Sequence, residues 1–133
     1  MKVVVIDGQG GKIGHEIIGR IKAEVPGCTV TAVGTNSIAT SAMLKGGADN
    51  AATGENAVAV NSRRADVIIG PIGIVIADSL YGEITPAMAA AVGQSEAVKL
   101  LLPINQCSNI VVGVGDLSIG ALINEAIEHI RLL

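Results

Sequence analysis

Asp7-Gly8-Gln9-Gly10-Gly11-Lys12-Ile13-Gly14 is the stretch of this chain best equipped to hold a charged ligand. It follows an unbroken apolar run, Val3-Val4-Val5-Ile6, and leads into isoleucines at helical spacing, Ile13, Ile17, Ile18 and Ile21. A buried strand that turns directly into a helix leaves the first N–H groups of that helix without intrahelical partners. The helix dipole adds positive potential at the same point, so an anion is favoured there. Glycines at such a turn let a phosphate approach the backbone with no Cβ in the way, and let helix and strand pack closely. The spacing is Gly8-x-x-Gly11-x-x-Gly14; a G-x-G-x-x-G frame begun at Gly8 fails because position 13 is Ile13. The ligand this predicts is a nucleotide or dinucleotide (NAD, NADP or a mononucleotide), its phosphate held by Gly8, Gln9, Gly10, Gly11, Lys12 and Ile13. The competing role for the same glycines is tight strand–helix packing alone.

Two neighbouring features qualify that site. Asp7 stands directly before Gly8, and its carboxylate would repel a pyrophosphate unless backbone N–H groups or a cation absorb its charge. The end of the second apolar run reads Gly34-Thr35-Asn36-Ser37, without the Asp or Glu that usually takes a ribose or the Arg that takes a 2′-phosphate. Thr35 and Asn36 remain as hydrogen-bonding candidates. Ligands of open α/β sheets sit beyond the carboxyl ends of the strands, where the strand order reverses. The residues expected there are Asp7, Gln9, Thr35, Asn36, Thr53, Glu55, Asn56, Gly70, Pro71, Ile72, Gly73, Asn105, Gln106, Cys107, Gly115 and Asp116. Of these, Gly70 and Pro71 join the predicted cofactor-binding set. Asp7 is the candidate for catalysis or metal binding, against a bracing role in which it accepts backbone N–H bonds from the turn. Glu55 lies at a helix start, where a carboxylate is stabilising in itself. Cys107 has no His or Lys nearby in the pattern, since His15 and His129 fall in helices, so a small half-buried role is expected for it.

The elements that must position these residues follow from the apolar pattern. Strands are predicted over 2–6, 29–33, 48–52, 66–69, 99–102 and 110–112. Helices are predicted from Ile13 to near Pro26, over 38–45, over 55–64 with Thr53 as cap, from Thr85-Pro86 to about Val92 or Ala97, and from about Ile119 to Ile130 with Asp116 or Ser118 as cap. Strands and amphipathic helices alternate throughout. The expected fold is therefore α/β: a three-layer Rossmann-like domain over residues 1–133, with a mostly parallel sheet of about five or six strands in the order 3-2-1-4-5-6.

Composition narrows the function classes. The chain has 133 residues and a formal charge of −3, with Arg63-Arg64 as its only basic pair and Tyr81 as its only aromatic. Nucleic-acid binding draws on clustered cations and stacking rings, so it is not expected. Cys28 and Cys107 stand apart without a metal-binding spacing, so no metal site is expected; lone thiols fit a reducing, cytoplasmic setting. The apolar stretch 67–77 is broken by Gly70, Pro71 and Gly73, so no membrane span is expected either. Residues 73–84 interrupt the helix expected after the fourth strand and are too apolar for a surface loop. A small interior leaves little room for Ile74, Val75, Ile76, Leu80 and Tyr81, so the segment is expected to be a lid or, more so, a contact in a homo-oligomer.

The Gly8, Gly11, Gly14 spacing resembles the fingerprint of short-chain-type and dihydrodipicolinate-reductase-type dinucleotide folds. Across nearly its whole length the chain also resembles a family of small uncharacterised bacterial proteins, a domain of unknown function. The matching blocks are Val5 through Gly11, Gly34-Thr35-Asn36 with Ile38 through Lys45, Ala52 through Asn56, Gly70 through Ile74, Gly82 through Pro86, and Leu102 through Asn105. The resemblance implies a bacterial, cytosolic Rossmann-like protein and no particular reaction. Three functions stand in competition: nucleotide binding, a non-catalytic homo-oligomeric ligand sensor or assembly protein, and a phosphate- or metal-dependent enzyme using Asp7.

Overall fold

The structure, a computed structural model, describes residues 1–104 and 108–133. Five strands form one all-parallel sheet: β1 (Lys2–Asp7), β2 (Thr29–Gly34), β3 (Asn50–Thr53), β4 (Val67–Pro71) and β5 (Val98–Leu102). Between them run α1 (Lys12–Glu24), α2 (Ser37–Lys45), α3 (Glu55–Arg64) and α4 (Pro86–Gln94), and α5 (Ile119–Arg131) closes the chain. The strand order is β3-β2-β1-β4-β5, so the chain winds outward from β1 in one direction and then crosses back to β4. The reversal falls between β1 and β4, whose residues pair as Val3 with Val67 and Val5 with Ile69.

Alternation along the central strands builds a core on each face. Val3, Val5, Val30, Ala32, Val67 and Ile69 face one way and meet Ile17, Ile18 and Ile21 of α1, Met43 of α2, and Ile123, Ile127 and Ile130 of α5. Val4, Ile6, Val33 and Ile68 face the other way and meet Val58 of α3 and Met88 and Val92 of α4. Both faces are covered, which is why β1 reads as a continuous apolar run rather than an alternating one. Caps set several boundaries. The Asn36 side chain accepts the Ala39 N–H, Thr85 the Met88 N–H ahead of Pro86, and Ser118 the Ala121 N–H. Among the described residues no helix is long and apolar enough to cross a membrane.

Three expectations change. Residues 110–112 form no strand, and among the described residues the sheet ends at β5; Ile110 and Val112 are 85% and 92% exposed. Three apolar residues ahead of Gly113, at φ 90, are too few to add a buried strand. Thr53 does not cap α3. Gly54 is the cap residue and makes no side-chain bond, while the Thr53 hydroxyl pairs with that of Thr40 at 2.7 Å. Nor is the interior too small for 73–84: Ile74, Leu80 and Ile84 are buried in this chain's own second core, with Val75 packed against it. A single 3-10 turn (Ile72–Val75) leads into a loop closed by its own backbone bonds, among them Asp78 N–H to Ile84 O at 2.7 Å and Glu83 N–H to Leu80 O at 3.2 Å. Of its large apolar side chains Tyr81 is the exposed one, at 96%.

Candidate functional site

The glycine-rich turn is a tight one. The Gly11 N–H donates to Gly8 O at 3.0 Å, Gln9 adopts φ 52 and Gly11 φ 73. Three of its glycines answer to the protein's own packing. A Cβ on Gly11 would lie 2.7 Å from the Ala39 backbone of α2, where nothing can give. One on Gly14 would strike the Met43 side chain and come within 3.0 Å of Asp7 Cβ, and one on Gly8 would lie 2.7 Å from Thr35 Oγ1. Gly10 is different: a Cβ there meets nothing within 4 Å. The open side of the turn is therefore at Gly10.

Asp7 ends β1 with only 5% of its surface exposed. Its Oδ1 accepts the Gly8 N–H and its Oδ2 the Gly14 N–H, both at 2.8 Å, so the carboxylate ties both ends of the turn to the strand. Burial pushes its pKa above the ordinary aspartate value; the two N–H bonds pull the other way, and the nearby Glu83 adds to the rise. This is the bracing geometry. Among the described residues no three His, Cys, Asp or Glu side chains gather as a metal-ligand group.

A second carboxylate reaches the turn from the loop after β4. Glu83 Oε1 accepts the Gln9 N–H at 3.0 Å, the Thr35 hydroxyl at 2.7 Å and the Asn36 side-chain amide at 2.7 Å. Asn36 also donates to Gln9 O at 3.0 Å. Burial pushes the Glu83 pKa up, but the bonds from Thr35, Gln9 and Asn36 outweigh it and hold the carboxyl below the ordinary glutamate value. Four segments meet here: the ends of β1 and β2, the start of α2, and the 73–84 loop. Asp7 and Glu83 thus occupy the N–H groups of Gly8, Gln9 and Gly14. Among the described residues those of Gly10, Lys12 and Ile13 have no acceptor.

These three groups open into a pocket of about 380 Å³, walled by residues 7–13, Leu80 and Ile119. It lies at the carboxyl end of β1, beside the point where the strand order reverses. A larger hollow of about 880 Å³ lies between α1 and α2. Its walls are residues of these two helices, Lys12 shared with the smaller pocket, and His15 there is bonded to Ala42 O at 2.8 Å. The smaller pocket is the one where unsatisfied donors and strand ends coincide.

The family model described as Domain of unknown function (DUF3842) matches residues 2–133. The chain belongs to that family. No curated protein matches this DUF3842 chain. Among solved structures, a dodecameric FMN-dependent UbiX-like decarboxylase from Escherichia coli O157:H7 is similar at 13% identity, covering 98% of this chain and 91% of that one, with a TM-score of 0.47. So distant a likeness carries no argument about ligand or assembly.

Of the predicted site residues, Asp7, Gly8, Gln9, Gly10, Gly11, Lys12 and Ile13 come together in the DUF3842 pocket. Thr35 and Asn36 sit just behind it, committed to Glu83. Gly70 and Pro71 end β4 buried, outside the pocket walls. Glu55 Oε1 accepts the Thr85 hydroxyl at 2.6 Å, joining α3 to the start of α4. Asn105, Gln106 and Cys107 lie outside the described residues. Glu83, Leu80 and Ile119 were not among the predicted site residues. All three sit at points where the periodic pattern breaks or a helix begins, and no spacing marks them.

Proposed function

We propose that the chain binds a nucleotide in the pocket at the end of β1, with a phosphate on the Gly10, Lys12 and Ile13 N–H groups. The single observation that carries this is the set of three neighbouring donors without acceptors among the described residues, at the start of a 13-residue helix, opening into a pocket at the strand reversal. Lys12, on the same wall, brings a cation to the phosphate. Leu80 and Ile119 offer apolar surface for a base. The volume stands near the lower end of the ~300–1,000 Å³ usual for small-molecule sites, which suits one nucleotide unit better than a whole NAD or NADP. Asp7 and Glu83 oppose a phosphate, yet each is held by N–H donors, so part of that charge is already compensated.

Thermal unfolding with AMP, FMN, NAD, NADP and inorganic phosphate tests this reading. A ligand at about 100 times its Kd adds ~2.7 kcal/mol to stability, a rise of several degrees in Tm. Gly10→Asp is the informative variant, because its side chain enters open space and puts a carboxylate where the phosphate would go. We expect it to fold like the parent and lose the shift. Gly11→Asp would be uninformative, since it collides with Ala39 and strains the φ of 73°. No shift with any nucleotide would sink the reading.

A second reading, self-association, draws on one observation. Ile110, Val112, Leu117 and Ile119 are exposed apolar residues within ten positions of each other, and Tyr81 is exposed on the neighbouring loop.

A further inference from the structure

The tip of β2, Gly34-Thr35-Asn36-Ser37, lacks both the acid that reads ribose hydroxyls and the arginine that accepts a 2′-phosphate in sheets of this winding. A carboxylate nevertheless stands at that tip. It arrives from the loop after β4, 48 residues along the chain from Thr35. Three donors converge on its Oε1: Thr35 Oγ1 and Asn36 Nδ2 at 2.7 Å and Gln9 N at 3.0 Å. Donors of that number fix the orientation of a side chain that is otherwise only half-buried. Glu83 stands against the turn itself: a Cβ on Gly8, a wall of the pocket, would lie 3.2 Å from the same oxygen. Gly8 and Gln9, which wall the pocket, lie against or bond to Glu83, and Leu80, another wall, belongs to the same loop as Glu83.

We propose that Glu83 is the specificity residue of this site, accepting hydrogen bonds from the 2′- and 3′-hydroxyls of a ribose and rejecting a 2′-phosphate. The proposal rests on the nucleotide reading above. Thr35 and Asn36 are then positioning residues, which hold the carboxylate and do not touch the ligand. The acid that other sheets of this winding carry on β2 is here supplied from the far side of the strand reversal. A carboxylate discriminates in two ways at once. It accepts two hydroxyl protons in a charge-assisted manner, and it stands against a second negative charge at the same place.

The test is the ratio of affinities for two probes, AMP and adenosine 2′,5′-bisphosphate, measured by calorimetry. The parent protein is expected to prefer AMP by about tenfold or more, given the cost of like charges side by side. Glu83→Gln keeps an amide oxygen for the same three donors, so the fold should persist. In it the preference should narrow to about two- to threefold, mainly through tighter binding of the bisphosphate. Thr35→Val, which keeps the charge and removes one of its holders, should narrow the ratio partway. If both probes bind and Glu83→Gln leaves the ratio unchanged, the inference is overturned while nucleotide binding stands. Equal tightening of both probes also overturns it, since Glu83 would then be only a diffuse repulsive charge. Failure of AMP to bind the parent removes the nucleotide reading and this inference together; AMP binding with no measurable bisphosphate binding is the expected preference at its limit, and Glu83→Gln should then make bisphosphate binding measurable.

Discussion

Asp7 and Glu83 face the same turn and respond to pH with opposite sign. Burial raises the Asp7 pKa, so its ionised form is penalised in the fold, and stability is gained as pH falls through that raised value. For Glu83, burial pushes the pKa up but hydrogen bonds carry it below the ordinary value. Its stabilisation is full above the ordinary glutamate range and is lost as pH falls through the lowered value. The two contributions offset each other in a global melt. A local probe separates them, because the Gln9 amide donates to Glu83 alone. Its hydrogen-exchange protection should persist through the ordinary glutamate range and disappear only below it, and in Glu83→Gln this acid step should be absent. A Gln9 amide that exchanges freely at neutral pH would show that the three-donor network does not form. At residue level the bracing role of Asp7 was legible and that of Glu83 was not. Asp7 announced itself by its place before Gly8, but Glu83 has partners 74, 48 and 47 positions away and belongs to no periodic pattern.

The 73–84 loop carries that carboxylate at a conformational cost. Asp78, Leu80 and Tyr81 have φ of 66°, 55° and 56°, followed by Gly82 at 88°. A left-handed residue with a Cβ costs about 1–2 kcal/mol. Leu80 offsets its share by burial in the second core. Tyr81 has no such return within the chain, since its ring is in solvent. Tyr81→Gly is therefore expected to stabilise by about 0.5–1 kcal/mol once glycine's greater unfolded-state freedom is subtracted. The check is a higher denaturant midpoint at unchanged m; a lower midpoint would mean that the ring packs against something in solution. This loop also marks where element-level reading stopped. The strands and helices up to Leu102 followed from apolar runs bounded by glycine and proline, with ends displaced by a residue or two, as in β3 and α4. The glycine spacing was equally plain, but its cause lay elsewhere: Gly11 and Gly14 make room for Ala39 and Met43 of α2, a contact that only the tertiary fold creates. The run 110–112 carries the same apolar character as a strand, and a strand needs a neighbour with which to pair.

At the scale of the whole molecule, two aliphatic cores leave a run of exposed apolar residues after the last strand. Ile110, Val112 and Leu117 sit between β5 and α5, and Ile119, the first residue of α5, is also a wall of the pocket. If copies of the chain associate there, one copy's surface would lie against the other's ligand site. Light scattering should then give a mass above that of one chain, and Ile110→Asp with Val112→Asp should lower it by placing charges in the contact. A monomer at high concentration, with or without these changes, would remove the self-association reading.

The exposed ring on the 73–84 loop has a practical consequence as well. With one Tyr and no Phe or Trp, the chain's entire aromatic absorbance and emission come from Tyr81, two residues from Glu83. A shift in that emission on titration with a colourless sugar phosphate would report on this one loop and on nothing else in the molecule. The protein therefore contains its own single-site optical probe, placed beside the carboxylate that the ribose would meet.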